Sequence, residues 1–200
     1  MENTKEMLGQ ALEEFGRRVR AVNPDQWSLS TPCDTWNVRE VVNHVVWVQR
    51  WVPVLLSGIA PSEEVAARFE GDLLGVDPVA TWADAERESA QAAQRTDLDK
   101  RIISSFGEMS AREFLRMTTA DACVHAWDIA RGTGGDETLD PELVRAATDG
   151  IRNGRVYGGK APSEVWPTMF HPPVVGLSDA DPQSQLLALV GRDPRKVAAG

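Results

Sequence analysis

Three histidines are the residues of this chain best suited to chemistry, and two of them fall within segments of helical pattern. They are His44, His125 and His171, and Asp121 precedes His125 by four residues. Because four residues make slightly more than one helical turn, the Asp121 and His125 side chains project from the same face. With His44 on a facing helix, they form a set of two nitrogens and one oxygen. Such a set can hold a divalent metal and leave a coordination position open, as catalytic metal sites do.

The alternative interpretation of these residues is an ordinary helix interior. A single histidine in an apolar helix is more often a core residue than a ligand. An acid four residues before a histidine also occurs by chance on many helices. Burial of an unpartnered carboxylate costs roughly several kcal/mol. A metal would offset that cost, whereas the structural alternative needs a donor such as Arg50 or Arg116.

Other reactive side chains lie close to these residues in the sequence. Cys33 precedes the second helix, where a helix N-terminus can lower a thiol pKa, although a small buried hydrophobic role is favoured. Asp128 follows His125 by three residues. It is predicted with equal weight to accept a hydrogen bond from His125 or to pair with Arg131. His171 is expected on an exposed loop.

Four helices are predicted to position these side chains. Apolar periodicity and helix-start signals place them at 8–22, 37–55, 79–95 and 110–131. The second and fourth open with capping boxes, in which an N-cap side chain is followed three residues later by glutamate. The second is apolar around much of its circumference and belongs in a bundle interior. Segment 57–75 is ambiguous, and 101–106 could be extended.

The remaining sequence predicts a C-terminal extension. Pro141 and Pro182 each start a short helix after an aspartate, and 154–180 has the glycine and proline content of an irregular wrap. The predicted fold class is therefore all-α, with a four-helix bundle over about 1–135 and an extension over about 136–200. Residues 1–200 are expected to form a single domain.

Composition narrows the classes of function. The net charge of −9 and pI near 4.9 argue against nucleic-acid binding. No apolar run approaches the roughly 20 residues that span a membrane, and the polar start of the chain predicts no signal peptide. Two cysteines do not make a disulfide framework, which favours a cytoplasmic location. The excess of arginine over lysine is typical of a GC-rich genome.

Two motifs and the tail resemble a known family. Residues 31–44 read TPCDTWNVREVVNH and resemble the TPC-x-x-W-x-V-R-x-x-x-x-H signature of the mycothiol-dependent maleylpyruvate isomerase N-terminal domain. Residues 124–134, VHAWDIARGTG, resemble its second signature, V-H-x-W-D-L-A-R-A-T-G. Residues 182–194, PQSQLLALVGRDP, are similar to the terminus of single-domain actinobacterial members. The resemblance spans nearly the whole chain.

The resemblance implies a DinB-like four-helix bundle and a specific ligand set. The family's ligands are a histidine on the second helix and an acid and a histidine four apart on a later helix, which map onto His44, Asp121 and His125. The acid is often glutamate in relatives. Zinc is the first expectation for the metal and nickel the second, and mycothiol is the implied thiol cosubstrate. At 200 residues the sequence is expected to lack the second domain of the full isomerase, so maleylpyruvate isomerisation itself is not carried over.

Three functional hypotheses follow. The first is a metal- and thiol-dependent transferase or isomerase that acts on a small electrophilic substrate. The second is a hydrolase that uses metal-activated water at the same ligands. The third is a non-enzymatic metal-binding or interaction module. Small molecules are the expected partners, with no nucleic acid and no membrane, and a homodimer is compatible with the sequence.

Overall fold

The chain folds into helices connected by short turns and one hairpin. The computed structural model describes residues 3–33, 35–59, 61–152, 162–165 and 171–196. Its long helices are α1 (Thr4–Ala21), α2 (Val38–Ser57), α4 (Pro78–Arg95) and α5 (Ala111–Thr133). Shorter elements are α3 (Glu63–Ala66), a 3₁₀ turn (Ala67–Phe69), β1 (Arg101–Ser104), β2 (Gly107–Ser110), α6 (Pro141–Arg152), α7 (Pro162–Val165) and α8 (Pro182–Leu189).

The helix ends follow from local hydrogen bonding. Both predicted capping boxes form, at Asn37 for α2 and at Ser110 for α5. Helix α1 starts earlier than its apolar stripe, because the side chain of Asn3 accepts a hydrogen bond from the Glu6 backbone N–H. At the end of α5, Gly134 adopts a left-handed φ of 68° and donates its N–H to carbonyls of the last turn.

The long helices pack as a four-helix bundle, which confirms the predicted all-α class. Helix α1 contacts α5 and α4, and α2 contacts α4 and α5, so each long helix has two long neighbours. Apolar side chains from all four fill the centre, among them Phe15 and Trp82, whose rings lie 4.5 Å apart. Gly16 permits this approach, since a Cβ there would lie 2.6 Å from the Trp82 Nε1. The bundle core therefore depends on large side chains meeting small ones.

The ambiguous segment between α2 and α4 is held against α2. The Asn43 side chain donates to the Gly71 carbonyl and accepts from the Leu73 N–H. Arg39 binds the Asp72 carboxylate at 2.7 Å. The contacts of Asn43 and Arg39 therefore fix residues 71–75 against the first half of α2. Segment 101–106, for which extended backbone was one prediction, takes part in an antiparallel hairpin of β1 and β2.

The C-terminal helices pack on α5 and on each other. Helix α6 contacts α5, and α8 contacts α6. Of the predicted irregular wrap over 154–180, residues 154–161 and 166–170 lie outside the described residues. Among the described helices, none has the length and apolar character that crossing a membrane requires.

Candidate metal centre

His44, Asp121 and His125 meet between α2 and α5. One donor atom from each lies within 4.8 Å of the others. The His44 Nε2 is 3.2 Å from the Asp121 Oδ1, and the His125 Nε2 is 3.5 Å from the same oxygen. The His125 side chain is 4% exposed, while those of His44 and Asp121 are 15% and 14% exposed. The donors therefore converge on one point, at which His44 and Asp121 keep a small exposure to solvent.

The loop before α2 covers this point. Its turn is fixed by the Trp36 N–H, which donates to the Cys33 carbonyl, and by the Thr31 hydroxyl, which donates to the Trp36 carbonyl. A Cβ at Gly132 would lie 2.8 Å from the Ser30 carbonyl oxygen, so glycine lets the loop lie against α5. The Trp36 ring consequently rests 4.8 Å from the ring of His44, centroid to centroid.

The His125 Nδ1, which is the ring nitrogen remote from Asp121, is held by a hydrogen bond to Asp128. The His125 Nδ1 lies 2.9 Å from the Asp128 Oδ2, and Asp128 is fully buried. The Arg192 guanidinium, from the segment after α8, donates to both Asp128 oxygens at 3.3 and 2.9 Å. A carboxylate behind a histidine fixes the orientation of its ring, so the His125 Nε2 faces Asp121. Asp128 thus accepts from His125, as one of the two sequence interpretations had it. The cation that pairs with Asp128 is Arg192. Arg131 pairs with Glu137 instead.

The charged side chains of the centre favour the ionised forms of Asp121 and Asp128. Burial alone would raise the pKa of Asp121, but the imidazoles of His44 and His125 outweigh burial and hold that pKa well below its usual range. Burial likewise opposes ionisation of Asp128, but the Arg192 guanidinium and His125 lower its pKa to about 2. Both carboxylates are consequently ionised at neutral pH, as ligation and support of a cation require.

Asp121 has an oxygen that the protein leaves without a partner. The Asp121 Oδ2 is buried and accepts no hydrogen bond from the described residues, although such an orphaned oxygen is costly. Arg50, one of the two donors that the structural alternative offered, pairs instead with Glu88. Two nitrogens and a carboxylate with a spare oxygen fit a borderline-soft divalent ion such as zinc.

Cys33 belongs to a second cluster that a metal fits less well. Its Sγ lies 3.5 Å from the Asp128 Oδ2 and 4.0 Å from the His125 Nδ1, so these three side chains also converge. The Arg192 guanidinium, however, contacts the Cys33 sulfur at 2.7 Å and already supplies the positive charge. Burial and the Asp128 carboxylate raise the pKa of Cys33. Cys33 is therefore a protonated thiol beside the centre.

Sequence reasoning assigned no role to Arg192. The arginine lies in the tail motif, 64 residues beyond Asp128, and no local pattern connects the two. Gly191 just before it has a left-handed φ of 78°, and its Cβ position would lie 2.5 Å from the His171 carbonyl oxygen. The glycine at position 191 was the available signal in the sequence for an unusual backbone conformation next to Arg192. His171 contributes this backbone contact and is not part of the three-donor group.

The comparisons with known proteins identify the family of this chain. Residues 8–130 match the family model described as the mycothiol maleylpyruvate isomerase N-terminal domain. The chain belongs to this family. The matched residues include all three donors and Asp128, whereas Arg192 lies beyond them.

Family relatives and solved structures extend the comparison. Uncharacterized protein Rv0738 of Mycobacterium tuberculosis strain H37Rv is 28% identical over 144 residues, which cover 67% of this chain and 69% of the relative. Uncharacterized protein MT0763 of strain CDC 1551 matches to the same extent. The crystal structure of the mycothiol-dependent maleylpyruvate isomerase aligns with a TM-score of 0.59 at 14% identity, and a histidine-to-alanine mutant of it with 0.60 at 13%. The alignments cover 72% of this chain and 66% of the isomerase chain. At this identity the likeness shows the fold alone, which is the helical fold of the maleylpyruvate isomerase.

Proposed function

We propose that this protein is a metal- and thiol-dependent enzyme that transfers a thiol to, or isomerises, a small electrophilic substrate. His44, Asp121 and His125 would hold the metal, with zinc as the first candidate. The observation that carries the proposal is the convergence of their donor atoms within 4.8 Å beside an Asp121 oxygen that lacks a partner. Three protein donors leave a position for an exogenous ligand, which is the arrangement of catalytic rather than structural zinc sites.

A small thiol is the ligand that best fits this position. Family membership supports mycothiol, because the matched family and the solved structures carry that thiol in their names. A bound zinc ion favours the thiolate form of a thiol that it coordinates, and the thiolate is the nucleophile. Maleylpyruvate is not part of the proposal, since 14% identity leaves the substrate open.

The protein's own groups prepare the centre for an external thiol. Asp128 and Arg192 fix the His125 ring, so that its Nε2 points at the proposed position of the metal. Trp36 packs on the His44 ring and restricts its orientation. Cys33 is kept protonated by burial, so it does not compete as an internal thiolate. These contacts support an open centre rather than one closed by a fourth protein ligand.

Metal analysis of purified variants tests the ligand assignment. His44→Ala and His125→Ala should each lose most of the bound metal while they keep the helical circular dichroism of the wild type. Asp121→Glu should retain metal, since it keeps the carboxylate, whereas Asp121→Asn should bind more weakly because a negative charge is lost. Stoichiometric metal in both histidine variants would refute the assignment.

Cobalt substitution tests the thiol. Mycothiol, or a simpler thiol, should produce a sulfur-to-cobalt charge-transfer band in the wild type and none in His125→Ala. The apparent affinity should rise with pH up to the pKa of the bound thiol, because binding releases a proton. Cys33→Ser should give the same band on thiol addition. A band that exists without added thiol and disappears in Cys33→Ser would replace the proposal with a closed site.

A further inference from the structure

A row of aromatic rings leads away from the centre along α2. It consists of Trp36, His44, Trp47, Trp51 and Phe69, which we call the aromatic row. Neighbouring ring centroids along it are separated by 4.8, 6.3, 6.1 and 5.2 Å. Three of its members, His44, Trp47 and Trp51, recur at helical spacing and lie on one face of α2. The row is continuous from a proposed metal ligand to the segment that follows α3.

The end of the row nearest the centre is accessible. The Trp36 ring contacts both imidazoles, at 4.8 Å from His44 and 6.1 Å from His125. His44 lies between Trp36 and Trp47, whose ring is stacked on it with an interplanar angle of 21°. Trp47 is 37% exposed, although tryptophan is large and apolar. A ligand at the metal position would therefore lie within reach of an exposed indole.

Two arginines of the same helix are paired with acids. Arg39 and Arg50 of α2 pair with Asp72 and Glu88, respectively. Trp51, further along the row, is buried, and its Nε1 has no hydrogen-bond partner in the described part of the chain. Trp47 thus offers an accessible, apolar ring face, which suits a flat, uncharged group. Offset or edge-to-face contact with such a group is the favourable geometry of aromatic rings.

We infer that the aromatic row binds a planar, conjugated group of the substrate beside the metal position, with Trp47 as the main contact. The inference rests on the proposed function, which places the electrophile there. The competing explanation is that Trp47 only holds the His44 ring in place. Under that explanation Trp47 affects every ligand equally, whereas a binding role discriminates between flat, conjugated ligands and saturated ones.

Paired probes separate these explanations. Benzyl mercaptan and cyclohexylmethanethiol have similar size and the same thiol, and their dissociation constants are measured on cobalt-substituted protein. The ratio of the two constants is compared between proteins, so that the intrinsic thiol pKa difference cancels. Trp47→Ala should reduce the preference for the aromatic probe by about 2- to 10-fold, the range of one aromatic contact. Trp47→Phe should keep part of the preference, and Ile103→Ala, at an exposed hairpin position, should leave it unchanged.

A second pair of probes keeps the test independent of metal and thiol. Benzyl alcohol and cyclohexylmethanol are titrated into the wild type and Trp47→Ala by calorimetry. A preference for benzyl alcohol that Trp47→Ala removes would support the aromatic row even if no thiol binds the cobalt protein, in which case only the proposed function fails. If the probe ratio is the same in wild type and Trp47→Ala, for both pairs, the inference is overturned. Equal weakening of both probes would assign Trp47 to holding His44.

Discussion

At the residue scale, Asp128 is the side chain through which the centre is joined to the C-terminal segment. It accepts from the His125 Nδ1 and from the Arg192 guanidinium, and all three groups are almost fully buried. A buried ion pair gives little net stability over an apolar pair, but the removal of one partner leaves an uncompensated charge. The energetic importance of Asp128 and Arg192 therefore lies in their mutual dependence.

A double-mutant cycle measures this dependence. Arg192→Met should lower the free energy of unfolding by about 3–5 kcal/mol, because the Asp128 carboxylate stays buried without its cation. Asp128→Asn combined with Arg192→Met should cost clearly less than the sum of the two single changes. The measurement is urea unfolding followed by circular dichroism. Arg195→Met is the control. Arg195 pairs with Asp193 and is itself more than half exposed, and the loss of such a surface pair costs at most about 1 kcal/mol. Additive single effects would contradict the coupling.

Sequence and structure agree best where a residue's role is local. The Asp121 and His125 side chains share a face because of helical spacing, and the structure brings His44 to them. Whether a metal binds there stays a prediction. The cation that Asp128 uses could not be predicted, because Arg192 is distant in sequence and Arg131 is at least as plausible locally. Long-range pairing depends on tertiary packing, which spacing does not encode.

At the element scale, α5 carries most of the centre, and its start depends on a capping box. The Ser110 backbone N–H donates to the Glu113 carboxylate at 2.7 Å, and its hydroxyl donates to the same oxygen at 2.8 Å. These bonds lower the pKa of Glu113 below its usual value of 4.5. Since the folded pKa is depressed, the stabilisation is present above the unfolded pKa and is lost as pH falls through the folded pKa.

Glu113→Gln should therefore destabilise the protein by roughly 0.5–1 kcal/mol at neutral pH, the lower part of the range for helix caps. The difference between wild type and variant should shrink as pH falls below about 4.5. Thermal unfolding at several pH values provides the measurement. Glu70→Gln, an exposed change in the segment before α4, is the control for the loss of a surface carboxylate. A difference that persists undiminished at low pH would show that the carboxylate charge is not involved.

The turn after α8 is a second element in which one backbone position requires glycine. Gly191→Ala combines a left-handed φ with a Cβ 2.5 Å from the His171 carbonyl oxygen, so the backbone must shift. Gly71→Ala is a matched control, because its φ of 75° is nearly the same and nothing lies within 4 Å of the added atom. We expect Gly191→Ala to lower the free energy of unfolding by about 1–3 kcal/mol more than the control. Equal losses in the free energy of unfolding for the two variants, measured by chemical denaturation, would show that the close approach of Gly191 to the His171 carbonyl is unimportant.

The elements themselves were largely predictable, and their boundaries less so. Periodic apolar positions and capping boxes located α2 and α5 within a few residues of their ends. The segment between α2 and α4 remained ambiguous because its order comes from Asn43 and Arg39, which lie on another element. Helix periodicity reports the burial of a face, but not the hydrogen bonds that a loop makes with that helix.

At the scale of the whole molecule, the bundle has a core that does not depend on the centre. Phe15 of α1 and Trp82 of α4 are fully buried, and neither helix carries one of the three donors. If a metal binds, chelation should lower the melting temperature without abolishing the cooperative transition. The linkage is about 4 kcal/mol when the free metal exceeds its dissociation constant a thousandfold. Calorimetry with and without chelator measures the shift, and His125→Ala should show none. An unchanged wild-type melting temperature would indicate that metal is absent or unlinked to folding.

The contact between Arg192 and Asp128 also ties the candidate centre to the position of the segment after α8. It closes a loop of 64 residues, which is shorter than the 77 residues between His44 and Asp121, so loop length does not make this contact the later one. The contact does require that the segment after α8 lies against α5, which α1 and α2 already contact. Until that segment is in place, the Asp128 carboxylate behind His125 lacks its arginine. The end of the bundle that bears the candidate centre is therefore sensitive to any opening of the segment after α8.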